Sequence, residues 1–340
     1  MYKLKSIFVL TLLIALSGCF PSNDLEKQEV LLQGKTMGTT YNIKVVIGTE
    51  SQVDMKQMHQ GIDDLLVQLN QEMSTYIKDS ELSLFNQSSS LAPIKISTGL
   101  NRVITEAIRL GHLSKGKLDV TVGPLVNLWG FGPEYRPETV PSEQLLENTR
   151  QRIGLDKLAL ENGLMSKLHP ELYVDLSTIA KGYGVDIVAE YIEQQGIENY
   201  LVEIGGEMRL KGFKHTGELW HVAIEKPVTI ERAVQQIIVP KDNAVATSGD
   251  YRNYYEVDGQ RFSHIIDPGT GKPINHKLVS VTVIHSSSMT ADGLSTAMMV
   301  MGEEKALAFA EKNQLAAYFI VKTDNGFVEQ STVKFMQYLK

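Results

Sequence analysis

A chain of 340 residues with 43% hydrophobic and 21% charged side chains holds enough apolar material for a packed core, which excludes a mainly disordered protein. A formal net charge of −7, with no long run of lysine or arginine, lacks the electrostatic footprint that nucleic-acid binding needs.

The N-terminus reads as a targeting segment. Lys3 and Lys5 precede an apolar stretch over residues 7–16 that is too short to span a bilayer and stay there. Residues 16–19 (LSGC) are similar to the lipobox at which bacterial lipoproteins are cut and acylated. Residues 1–18 then form a lipoprotein signal peptide and Cys19, the one cysteine of the chain, becomes the lipidated N-terminus. An ordinary secretory signal that happens to contain a cysteine is the alternative. Phe20 after the cysteine, where an aspartate would retain the protein at the inner membrane, points to the periplasmic face of the outer membrane. Residues 19–28 form a polar tether and residues 29–340 the folded part. With its cysteine acylated, the chain has no disulfide and depends on core burial for stability.

Within the folded part, residues 40–46 alternate Tyr41, Ile43 and Val45 with polar neighbours, which predicts a half-buried strand. Residues 54–73 carry Met58, Ile62, Leu65, Leu66 and Leu69 at helical spacing, and residues 101–114 repeat the pattern through Val103, Ile104, Ala107, Ile108 and Leu110. A third helix is predicted over residues 179–195, stopped by Gly196. The second half carries strand signals over 200–204, 218–224, 236–239, 261–265, 278–284 and 317–321, and helices over 291–300 and 303–312. Strands and helices do not alternate regularly, so the fold class is α+β rather than a doubly wound sheet.

Two phosphate-loop candidates fail. Residues 111–117 keep Walker A spacing through Lys117, but Leu118 stands where a serine or threonine must hold magnesium. Gly182 and Gly184 lack the third glycine of a dinucleotide fingerprint. Four other segments carry chemistry. In residues 291–297 (ADGLSTA) a carboxylate and a hydroxyl lie one helical turn apart and can face one hard cation, although Asp292 alone also reads as a helix cap. His264 sits at a strand end before a tight Asp267-Pro268-Gly269 turn, as a general base or a structural histidine. In residues 202–207 a strand meets two glycines that let the backbone approach a ligand. Asp175 and Ser177 precede a helix whose first amides either receive phosphate or are capped. Trp129, Phe131 and Trp220 read as packing rather than stacking platforms.

In this order the segments resemble the ApbE-type flavin transferases, FAD:protein FMN transferases. The matching stretches are 34–41 (GKTMGTTY), 73–86 (MSTYIKDSELSLFN), 118–132 (LDVTVGPLVNLWGFG), 175–186 (DLSTIAKGYGVD), 202–209 (VEIGGEMR), 246–255 (ATSGDYRNYY), 263–273 (SHIIDPGTGKP) and 291–297 (ADGLSTA). The resemblance implies a two-lobed α+β fold related to the T-fold, with the flavin in a cleft between lobes. It implies FAD contacts at Met37, Thr75, Tyr76, Ile77, Asp119, Tyr183 and Ile266, and at Lys181, where some relatives carry an acidic residue. It also implies magnesium (Mg2+) on Asp292, Thr296 and the main-chain oxygen of Ala180, and His264 as catalytic base. The reaction it implies moves FMN from FAD to a threonine or serine of another protein and releases AMP. The acceptors would be periplasmic subunits of membrane redox complexes such as the sodium-translocating NADH:quinone reductase. A metal-dependent FAD pyrophosphatase and a flavin-storing lipoprotein are the rival readings.

Overall fold

Eight antiparallel strands form the central sheet, and their order across it is their order along the chain: Lys27–Thr36, Thr39–Gly48, Tyr200–Ile204, Glu207–Lys211, Ala244–Gly249, Leu278–His285, Ala316–Thr323 and Gly326–Ser331. The computed structural model describes residues 27–133, 140–227, 233–250, 254–257 and 260–340. Cys19, the signal peptide and most of the tether lie outside them. Among the described residues no helix is long and apolar enough to cross a membrane.

The helices are insertions into this meander. Between the second and third strands come α1 (Met55–Met73), α2 (Glu81–Gln87), α3 (Thr98–Leu113), α4 (Gly123–Leu128), α5 (Glu143–Arg150) and α6 (Ala180–Gln194). Between the sixth and seventh come α7 (Ser288–Met301) and α8 (Glu303–Lys312). Alternation along the seventh strand divides the core in two. Ala317, Phe319 and Val321 face the cluster built with α3 and α7, while Ala316, Tyr318 and Ile320 face one closed by Trp220 and the hairpin Val222–Glu225 with Val234–Ile238. Tyr41, Ile43 and Val45 pack under α1 and α6.

The α+β class and most predicted elements are present, with Tyr200–Ile204 and Glu303–Lys312 at their predicted bounds. Three differences bear on the site. Ser97 caps α3 through the Leu100 amide, so that helix starts before residue 101. Ser287 caps α7 through the Thr290 amide, so α7 begins at Ser288 and Asp292 falls in its second turn. The predicted strand 261–265 ends at Ser263, whose Oγ accepts from the Ile265 amide at 3.2 Å, and the chain bends at His264. It resumes as a short hairpin pairing Ile266–Asp267 with Lys272–Pro273.

Helices α6 and α7 pack face to face through Gly182. A Cβ there would lie 2.4 Å from the Ser288 carbonyl oxygen and 2.8 Å from Asp292 Cβ, so any side chain forces the helices apart. Gly182→Ala is expected to cost about 1–3 kcal/mol by overpacking. Denaturant unfolding checks this, and an unchanged midpoint would show that the helices part freely.

Candidate functional site

Two cavities adjoin where α6 begins. The smaller, about 350 Å³, is bordered by Asp292 and Thr296 of α7, by Thr178, Lys181 and Glu207, and by Asp119, His264 and Ile266. The larger, about 740 Å³, is bordered by Met37, Thr75, Ile77 and Ala180. Tyr76, Asp175, Ser177 and Lys181 border both, and each cavity falls in the size range of ligand sites, about 300–1,000 Å³.

Asp292 does not cap its own helix. Its Oδ2 accepts the Gly182 amide of α6 at 3.0 Å, and Asp186 of α6 reciprocates by accepting the Ser288 and Met289 amides of α7, both at 3.0 Å. Four residues on from Asp292, Thr296 lies on the same face of α7, where Ser248 Oγ is 3.1 Å from its hydroxyl. A second bond joins Ser248 Oγ to Ser295 Oγ at 2.7 Å, tying α7 to the fifth strand. Thr178 Oγ1 is buried and has no hydrogen-bond partner.

Charge at the cavity floor is unbalanced. Lys181 Nζ lies 2.7 Å from Glu207 Oε2, an almost fully buried carboxylate. Burial alone would lower the lysine, but Glu207 and Asp292 overcome this and hold its ammonium above the usual lysine range. Burial raises Glu207 against the pull of Lys181. Burial and the proximity of Glu207 push Asp292 up to about 8, against Lys181 and the Gly182 amide. One ammonium thus faces two buried carboxyls, which favours the protonated form of Asp292 at neutral pH. Lys181, an implied FAD contact, is therefore already paired, and its partner Glu207 was not among the expected site residues. Its partner lies 26 positions away on another element, so no local pattern marks it.

The remaining predicted residues fall into place unevenly. Met37 and Gly38 form a two-residue hairpin turn at φ of 47° and 71°. A methionine there is strained by about 1 kcal/mol, and Met37 is held over Gly184, where a Cβ would lie 2.7 Å from its methyl group. Tyr76 is 69% exposed at the rim shared by the cavities. Asp119 borders the smaller cavity, but its Oδ1 accepts both the amide and the hydroxyl of Thr121. Tyr183 borders neither cavity: its ring is buried beneath the Arg102 guanidinium, 5.4 Å away. The first amides of α6 are largely spent, since Ala180 donates to the Leu176 carbonyl and Gly182 to Asp292, which favours the capped reading of that helix start. Ile266 packs on Trp129 and Phe262. Trp129 and Trp220 are buried packing residues, and Phe131 meets the His264 ring edge-on at 6.3 Å.

The model of the ApbE family matches residues 37–319. The chain is 56% identical over 333 residues to the FAD:protein FMN transferase of Vibrio cholerae serotype O1, covering 98% of each protein. It is 49% identical to that of Haemophilus influenzae over 98% of this chain and 96% of the relative. Among solved structures, the flavin transferase ApbE from Vibrio cholerae superposes with a TM-score of 0.86 at 56% identity, over 92% of this chain and 100% of that one. Pseudomonas stutzeri flavinyl transferase ApbE in its apo form gives 0.85 at 39% identity, over 92% and 97%.

Asp292 binds a proton in the folded protein that the unfolded chain, with an aspartate near 3.8, releases. Its stabilising contribution is complete below that value and is lost as pH rises through about 8. Metal-free wild type should therefore lose stability relative to Asp292→Asn between pH 5 and 8, at up to about 1.4 kcal/mol per pH unit. Urea unfolding at several pH values measures the difference, and parallel curves would contradict it.

Proposed function

Since the chain belongs to the ApbE family, we propose that it transfers the FMN half of FAD to a threonine or serine hydroxyl of an acceptor protein and releases AMP, with magnesium at Asp292, Thr296 and the Ala180 carbonyl. The chain is a flavin transferase. The observation that carries the residue assignment is the meeting of Asp292 and Thr296 of α7 with His264, from a second segment, at one cavity.

The donors suit a hard cation with few protein ligands: a carboxylate and a hydroxyl at the smaller cavity, beside the unpartnered Thr178 hydroxyl, and the main-chain oxygen of Ala180 at the adjoining one. Among the described residues no group of three His, Cys, Asp or Glu side chains competes as a metal site. A magnesium ion held there would supply Lewis-acid neutralisation of the diphosphate charge. The protein's own residues do the rest. Met37 and Tyr76 border the space for the dinucleotide, and Lys181, neutralised by Glu207, keeps the floor from repelling it. His264 takes the acceptor's hydroxyl proton on a ring nitrogen as that oxygen bonds to the FMN-side phosphorus. The bond from this phosphorus to the AMP oxygen breaks, and AMP leaves.

In this reading the enzyme works in the periplasm, anchored through an acylated Cys19 in the outer membrane, beside flavin-acceptor subunits of membrane redox complexes such as the sodium-translocating NADH:quinone reductase. The LSGC motif and the family resemblance support it.

Incubation with FAD, magnesium and an acceptor domain, followed by intact-mass measurement, tests the reaction. Wild type should add the mass of FMN to the acceptor. His264→Ala and Asp292→Ala should each lose about 100-fold or more in rate, with FAD still bound by the histidine variant. Free FMN and AMP without an adduct would make the protein a FAD hydrolase instead.

A further inference from the structure

Lys117 ends the stretch that resembles a phosphate loop without completing one, yet its side chain borders the smaller cavity. We propose that Lys117 is a positioning residue: through its ion pair with Asp267 it clasps the turn that carries His264 against the body of the protein. The inference rests on His264 being the base for transfer.

Lys117 Nζ donates to both carboxylate oxygens of Asp267, at 2.9 and 3.0 Å, across 150 positions of chain. The lysine end is firmly seated. Lys115 and Gly116 turn the chain at positive φ, Gly116 donates to the Gly111 carbonyl at 2.8 Å, and Leu118 donates to Ser114 Oγ at 3.0 Å. The aspartate end is tied mainly to its own turn, where the Gly271 amide donates to the Asp267 carbonyl at 2.8 Å and the Gly269 amide to Asp267 Oδ1 at 2.9 Å. Asp267 stands three residues after His264 in a hairpin of two residues per strand, a length that is marginal unaided. Trp129 holds the turn itself through the Gly271 carbonyl at 2.8 Å, and at the open end Ile274 donates to Ile265 at 2.9 Å. On the side of the turn next to the cavity, Lys117 supplies a tie from the opposite wall. With side chains 30% and 18% exposed, the pair is only partly screened by solvent. A clasp there restrains His264 laterally, and small displacements of a reacting group carry large rate penalties.

The test uses the full-length protein with FAD, magnesium and an acceptor domain. Lys117→Met should lower kcat for FMN transfer about tenfold while the Kd for FAD, read from flavin fluorescence, stays within about twofold. Lys117→Arg should restore most of kcat, and Asp267→Asn, which keeps an acceptor for the Gly269 amide, should behave like Lys117→Met. Added sodium chloride should depress the wild-type kcat more than that of Lys117→Met. A Lys117→Met enzyme with wild-type kcat overturns the clasp. So does one whose FAD affinity falls in step with its rate, which would put Lys117 on the dinucleotide. His264→Ala run alongside separates the two readings: full transfer without the histidine overturns the base and the clasp together, whereas an inactive His264→Ala beside a fully active Lys117→Met overturns the clasp alone.

Discussion

Two carboxylates exchanged between α6 and α7 organise the centre of this molecule. Asp186 of α6 accepts the opening amides of α7, and Asp292 of α7 accepts the Gly182 amide in the first turn of α6. Each helix start is satisfied by an acid from the other, which favours negative charge at both N-termini. Gly182 makes the approach possible, because the Ser288 carbonyl occupies the space of a Cβ. Asp186 has Arg209 at 3.1 Å to balance its charge. Asp292 faces the cavity with Glu207 close by and only one lysine between them.

From that asymmetry the chemistry follows. Asp186 is a finished structural element, whereas Asp292 is left short of positive charge in a place too buried for water to compensate. A proton is the weakest way to fill the deficit, and a divalent cation shared with a diphosphate is a stronger one. Lys181 pairs with Glu207 at 2.7 Å and offsets its charge. The lysine therefore sets how much charge the site still lacks.

Much of this was legible in the sequence where local pattern and tertiary role coincide. The strand Tyr200–Ile204 and helix α8 lie at their predicted bounds because their apolar periodicity is uninterrupted. The segments that carry Asp292, Thr296 and His264 were identifiable by residue type and by family resemblance, and the fold brings all three to one cavity. What stayed hidden needed partners distant in the chain. Residues 286–290 lie outside the predicted helix 291–300, yet Ser287 caps α7 there, and the contact of Asp292 depends on an amide 110 positions away. Glu207 carries no signal without Lys181. The edge strand Lys27–Thr36 buries only two residues and Gly326–Ser331 none, so neither carries a clear apolar alternation, and the bend at His264 involves a serine hydroxyl that accepts the Ile265 amide. The ring of Tyr183, an implied flavin neighbour, lies buried under Arg102, a contact between α3 and α6 that no local pattern marks.

The most direct measurement is a crystal structure of the protein with FAD and manganese in place of magnesium, with anomalous diffraction locating the metal. A peak within coordination distance of the Asp292 and Thr296 oxygens, beside the bound diphosphate, is the expected result. A metal bound elsewhere, with the Asp292 carboxylate still held only by the Gly182 amide, would contradict it.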